Sequence, residues 1–220
     1  MPKTAILLGG SGAVGSELLQ LLLADNRYEK IKLFARSSIN TIDPRIEEHL
    51  IDLFALDTYT GLFTGDEVYC CIGTTKAKTP DKETYRQIDY GIPVAAAKLA
   101  AANNIKTYIV ISAIGADADS SIFYNRTKGE MQDDVLAENI HKIHILQPSL
   151  ILAERKDNRI VEKTAEVFMW LINPLLFGGA AKYKSIKATT IAKAMLWLAN
   201  NSYREAIVTS DKIEGIAKQH

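Results

Sequence analysis

Between an apolar run at 5–8 and a second at 14–23 stands Gly9-Gly10-Ser11-Gly12-Ala13-Val14-Gly15. A chain that passes from strand to helix through three glycines at this spacing has few folds open to it. The first glycine permits a tight turn, the second lets backbone approach a ligand, and the third lets helix and strand pack closely. The N–H groups of the first helical turn then face outward together, which suits an anion such as the pyrophosphate of a dinucleotide. The spacing is GxxGxxG and not the commoner GxGxxG, so the strand-turn-helix setting separates it from an ordinary glycine-rich turn. Gly9, Ser11, Gly12, Ala13, Val14 and Gly15 form the expected phosphate-binding set.

The rest of the chain continues the pattern. Residues 5–8, 30–34, 49–51, 67–72, 107–111 and 143–147 read as strands, and 14–25, 86–103 and 125–139 as helices. Such alternation predicts an α/β fold, a Rossmann-like doubly wound parallel sheet with helices on both faces. The alanine-rich stretch at 93–102 should lie tight against the sheet. Beyond residue 158 the spacing predicts a helix over 161–172, a loop with Pro174 and Gly178-Gly179, a helix over 189–199 capped by Thr189 or Thr190, and a late edge strand at 205–208. This last third is expected to form a small C-terminal lobe on the substrate side. No repeat or linker divides the chain, so residues 1–220 are expected to make one domain, long enough to bury roughly 70% of its unfolded surface.

Acidic and basic residues balance at 26 each, which gives no electrostatic reason to expect a nucleic-acid partner. No apolar stretch is long enough for a membrane span; residues 168–172 are apolar, but Asn173-Pro174 ends them. The N-terminus enters the fold at once, which predicts no leader and a cytoplasmic location. Cys70 and Cys71 are adjacent within one strand pattern, so they should point to opposite faces in a reducing compartment. The four histidines, His49, His141, His144 and His220, have no zinc-like spacing, and no metal site is expected.

Several polar residues fall where strand patterns end. Arg36 follows the second strand, 21 residues after Gly15, where an acidic residue would bind both ribose hydroxyls of NAD and an arginine suits the 2′-phosphate of NADP. Ser37 and Ser38 add hydroxyls. Asp52, after the third strand, is placed to meet adenine, with Leu53 as an apolar wall. Gly73 lets the chain pass close to the cofactor; Thr74 and Thr75 follow it, then a loop with Lys76, Lys78 and Lys82. Tyr124 and Lys128 are four apart on one helical face, so the ammonium can approach both a nicotinamide ribose and the phenol, and a nearby cation favours phenolate. Ser112 closes the fifth strand and is placed to hold a carbonyl beside the tyrosine. Pro148, beyond the sixth, is expected at the nicotinamide end.

In this order the chain resembles an atypical short-chain dehydrogenase/reductase, and more narrowly the small NAD(P)H-binding proteins related to the Tat-interacting tumour-suppressor reductase. The likeness rests on Cys71-Ile72-Gly73-Thr74-Thr75, Asp89-Tyr90, Ser112-Ala113-Ile114-Gly115-Ala116-Asp117, Tyr124-Asn125-Arg126-Thr127-Lys128-Gly129-Glu130 and Gln147-Pro148-Ser149, and runs on to 191–194. It implies that Gly9, Gly12 and Gly15 bind the pyrophosphate, Arg36 the 2′-phosphate, Asp52 the adenine and Lys128 the ribose. By the same resemblance Tyr124 transfers the proton and Ser112 orients a carbonyl. The family often has two consecutive serines where this chain has Ser112-Ala113, so the second is lost here. Two functions are compatible with these residues. The first is NADPH-dependent reduction of a small carbonyl or related electrophile, with NADP as cofactor. The second is an NADPH-binding regulatory protein, its protein partner or second copy meeting the apolar stretch of 168–172 and Leu175-Leu176-Phe177.

Overall fold

The computed structural model describes residues 2–152 and 184–220. Among them, seven strands pair in parallel in one sheet. In chain order these are β1 (Lys3–Leu8), β2 (Tyr28–Ala35), β3 (Ile46–Leu50), β4 (Glu67–Cys70), β5 (Thr107–Ile111), β6 (Lys142–Gln147) and, after the short β7 (Ile151–Leu152) and β8 (Ile186–Lys187), β9 (Ile207–Thr209). Their order across the sheet is β3-β2-β1-β4-β5-β6-β9. The order reverses direction between β1 and β4, where the ends align with Leu8 opposite both Phe34 and Cys70. In open parallel sheets ligands bind at such a reversal, beyond the carboxyl ends of the strands.

Helices cover both faces, as the alternation predicts. On one face lie α1 (Ala13–Ala24), α5 (Ala188–Asn200) and α6 (Ser210–Ala217), burying Leu18, Leu22, Ile191, Met195 and Ile213 against Leu7, Leu33 and Tyr69. The other face carries a 3-10 segment (Leu53–Tyr59), α3 (Ile92–Ala102) and α4 (Phe123–Leu136) over Ile6, Phe34, Val68 and Tyr108. The alanines 96, 97 and 100 of α3 are fully buried, so the helix sits close to the strands. Cys70 belongs to one core and Cys71 packs against the other, which is the opposite-face arrangement expected of neighbours on a strand.

Several boundaries differ from the sequence reading. The third strand is Ile46–Leu50, earlier than 49–51, because an edge strand with Glu47 and Glu48 carries little apolar signal. The helix expected over 86–103 begins at Lys82 with α2 (Lys82–Arg86) and passes through a π-helical turn (Gln87–Gly91) before α3. The cap of α5 is Lys187, without a side-chain bond, so Thr189 and Thr190 lie inside the first turn. Within the C-terminal third, α5, β9 and α6 rejoin the main sheet, and the described part of the outlying lobe is the pair β7 and β8. The expected helix over 161–172, the loop with Pro174 and Gly178-Gly179, and the apolar residues 168–172 and 175–177 lie outside the described residues. No helix among the described residues is long and apolar enough to cross a membrane.

Candidate functional site

The predicted site residues follow the carboxyl ends of six neighbouring strands. Gly9 leaves β1 at φ +82°, and a Cβ on it would sit 2.8 Å from the carbonyl carbon and oxygen of Cys71, so only glycine lets the ends of β1 and β4 approach. Gly15 is held more tightly: a Cβ there would lie 2.1 Å from the Gly9 carbonyl oxygen. That oxygen accepts the Gly12 N–H at 2.9 Å. Gly12 caps α1 without a side chain, leaving the N–H groups of Ala13, Val14 and Gly15 as the anion-facing end of the helix. Ser11 is exposed at the tip of the turn, and Val14 and Gly15 are buried beneath it.

Beyond β2, Arg36 is exposed, and its guanidinium makes no hydrogen bond or ion pair among the described residues; Ser37 beside it is exposed as well. Asp52 accepts the Phe54 N–H at 2.9 Å and so caps the 3-10 segment. Leu53 is only 5% exposed and lies in the core with Phe34 and Phe63, which leaves the half-exposed Phe54 as the apolar surface of this turn.

The centre of the site is an ion pair that local spacing did not suggest. Lys128 Nζ lies 2.8 Å from Asp89 Oδ1, both side chains being almost wholly buried. The other Asp89 oxygen accepts the Thr74 N–H at 2.8 Å. Gly73 lies over the pair, where a Cβ would meet Asp89 Oδ1 at 3.6 Å and Lys128 Nζ at 4.0 Å. Asp89 stands in the π-helical turn, and an extra residue in a helical turn re-aims a side chain that an α-helix would direct elsewhere. Lys128 also reaches the carbonyl of Ile111 at 3.5 Å, which ties α4 to the end of β5.

Tyr124, one turn before Lys128, is 39% exposed. Its ring meets that of buried Tyr85 edge-on at a centroid distance of 6.2 Å. The surrounding protein desolvates the hydroxyl, and the Asp89 charge adds to the effect, so the phenol is pushed up to about 12. The expected pull of Lys128 toward phenolate is not found: burial first, and then the Asp89 charge, raise the phenol instead. Ser112 is buried, and its Oγ accepts from Gln132 Nε2 at 2.6 Å. Gln132 Oε1 in turn accepts from Gln147 Nε2 at 3.0 Å. Ala113 is buried next to it. Pro148 is buried, and its carbonyl accepts the Ile114 N–H at 3.0 Å. A Cβ on Gly129 would lie 2.1 Å from the Ala118 nitrogen, so α4 and the loop after Ser112 are pressed together.

Asp89, Gln132, Gln147 and Tyr85 are the site members that spacing alone missed. Gln132 had a usable signal, since 124, 128 and 132 repeat at four residues on one face of α4. Asp89 had none, because a π-helical turn has no plain sequence signature.

The profile of the NAD(P)H-binding family matches residues 9–169. The chain belongs to that family. Among its relatives, the mitochondrial protein FMP52-1 of Scheffersomyces stipitis is 31% identical over 166 residues, covering 71% of this chain and 70% of that one. Protein HTATIP2 of Rattus norvegicus is 28% identical over 198 residues, 88% of this chain and 80% of its own. Among solved structures, UDP-glucose 4-epimerase from Thermotoga maritima superposes with a TM-score of 0.69 at 11% identity, covering 98% of this chain and 82% of that one. The Bordetella bronchiseptica enzyme WbmG, in complex with NAD, gives 0.69 at 10% identity over 94% and 72%. At that identity the likeness is one of fold. The expected cytoplasmic location is corrected by the FMP52 relatives, including that of Candida albicans, which are mitochondrial proteins by name. Balanced charge and reduced cysteines suit more than one compartment, so composition did not discriminate. For this member of the NAD(P)H-binding family the glycine cradle fits a dinucleotide: at Gly9 and Gly15 a side chain would strike backbone.

Proposed function

We propose that this protein is an NADP-dependent oxidoreductase that reduces a small carbonyl or related electrophile, with residues 1–220 acting as one unit. The observation that carries the reading is the grip of α4 on the end of β5. Lys128 and Gln132 hold Ile111 and Ser112, while Tyr124 on the same helical face stays 39% exposed with its phenol raised to about 12. A bound nicotinamide dinucleotide would supply the reducing equivalent. Gly9, Ser11, Gly12, Ala13, Val14 and Gly15 would hold its pyrophosphate, Asp52 and the half-exposed Phe54, in place of the inward-turned Leu53, would border the adenine, and Gly73, Thr74, Lys128 and Pro148 would line the nicotinamide end.

Arg36 and Ser37 favour NADP over NAD, because an exposed guanidinium with no partner among the described residues is ready for a phosphate. At the reacting carbon Ser112 donates to the substrate oxygen and Tyr124 delivers its proton there as negative charge develops. An alkoxide is more basic than a phenolate, so a phenol near 12 still gives its proton readily. Lys128, fixed by Asp89, contributes position more than activation of the phenol.

Titration with NADPH and NADH, followed by nicotinamide fluorescence, tests the nucleotide. NADPH should bind more tightly, and Arg36→Ala should cost about tenfold to a hundredfold in NADPH affinity only; equal affinities would refute the role of Arg36. Tyr124→Phe should lower turnover of a carbonyl panel by about a hundredfold or more with NADPH binding kept. Unchanged turnover would refute the proton donor.

A further inference from the structure

We propose that Gln132 is a positioning residue that orients the Ser112 hydroxyl as a hydrogen-bond donor toward the substrate, extending Tyr124 and Lys128 by one further turn of α4. This rests on the reading of the site as a reductase. Gln132 is 4% exposed, and both ends of its amide are engaged within the protein. Its Nε2 can only donate, so at 2.6 Å the Ser112 oxygen must accept. Gln147 donates to Gln132 Oε1 from the far side, which sets the direction of the whole relay, from Gln147 through Gln132 to Ser112. The Ser112 N–H is already taken by the Leu146 carbonyl at 2.7 Å. One hydrogen remains on the Ser112 hydroxyl, and among the described residues no acceptor takes it. A chain of bonds running one way also polarises its last donor. The Ser112 rotor is therefore held from α4.

The polarity makes the idea testable with isosteric changes. With phenanthrenequinone as the electrophile and NADPH as reductant, Ser112→Ala should lower kcat about a hundredfold. Gln132→Met, which keeps the bulk and loses the donor, should lower it about tenfold, and the double variant should be no worse than Ser112→Ala alone, since one residue acts through the other. Multiplying losses would mean a merely structural glutamine and would overturn the proposal, as would a Gln132→Met variant with unchanged kcat. Gln132→Glu reverses the bond, because a carboxylate accepts the Ser112 hydrogen and turns it away from substrate. Its turnover should be low at neutral pH and recover on acidification as the carboxyl becomes a donor again, a limb that wild type lacks. A Gln132→Glu profile parallel to wild type would overturn the proposal. The bond is also read without turnover: in isotope-labelled protein Ser112→Ala should shift the Gln132 side-chain amide protons, and an unmoved signal refutes it. If wild type oxidises no NADPH with the quinone while that amide shifts, the reductase reading falls and the orientation of Ser112 stands.

Discussion

Two buried carboxylates stand at opposite ends of β4, and they are used differently. Glu67 opens the strand and is 2% exposed; Asp89, from the π-helical turn, meets the chain just past the strand's other end and is 1% exposed. Each has a lysine partner. Glu67 also accepts from Tyr28 at 2.6 Å and Tyr69 at 2.7 Å, and its partner Lys3 bonds Asn200 at 2.8 Å, which in turn donates to Tyr28. That network closes on itself and joins β1, β2, β4 and α5. Among the described residues Asp89 has only Lys128 and the Thr74 N–H, under a glycine and beside an exposed tyrosine. A closed set of buried polar groups stabilises a fold, whereas one left open at a cleft acts on whatever enters it.

The largest test of the contrast is Glu67→Ala, which removes the buried carboxylate that two phenols and a lysine share. Unfolding by urea should show a loss of about 3–5 kcal/mol, with NADPH affinity of the folded protein unchanged. A loss confined to nucleotide binding would break the comparison. Asp89→Asn should cost less, about 1–3 kcal/mol, since the amide oxygen can still accept from Thr74. Its main effect should be on Tyr124, whose phenol should fall from about 12 yet stay above 10.0, because burial is the larger cause and remains. Tyrosinate absorbance during an alkaline titration reads this, and an unmoved phenol would separate Asp89 from the tyrosine.

A smaller effect sharpens the structural end. Burial, then the Glu67 charge, raises the phenols of Tyr28 and Tyr69 above the ordinary 10.0. Raised folded values mean that their contribution is complete below 10.0 and is lost as pH rises beyond it, when only the unfolded chain ionises. Urea melts on either side of that value should show the decline, and Tyr28→Phe should make it shallower. The smallest expected effect lies on the acid side at His144, whose Nδ1 bonds the Glu205 carbonyl at 2.9 Å and whose value is lowered by burial. Its contribution is whole above 6.5 and falls as pH drops below it, so His144→Phe should flatten the acid limb of the melts.

The comparison also explains which parts were legible. Gly15 stands out in the sequence because its constraint is local, the Gly9 carbonyl six positions before it, whereas the positive φ of Gly9 is local but its contact with Cys71 is not. The strands around them are apolar runs, and the central ones were found to within a few residues. The edge strand β3, with two glutamates, was misplaced; the 3-10 segment, α6 and β7 with β8 were missed because they bury too few residues to leave a period. Ser112, Tyr124 and Lys128 were readable from order and spacing. The ion pair was not, because its carboxylate comes from Asp89, 39 positions before Lys128, and neither was the burial that raises the Tyr124 phenol.

The amino-acid sequence by itself determined the strand-turn-helix cradle, the alternation that makes a doubly wound sheet, and the presence of an arginine, a serine and a tyrosine-lysine pair at strand and helix ends. These follow from short-range sterics and periodicity. Only the tertiary structure decided that Lys128 is answered by Asp89, that burial raises the Tyr124 phenol, that Gln132 holds Ser112, and that Leu53 turns inward while Phe54 faces out. Each depends on which groups are brought together and how far water is excluded, and in a buried site those two quantities set the sign of every charge effect.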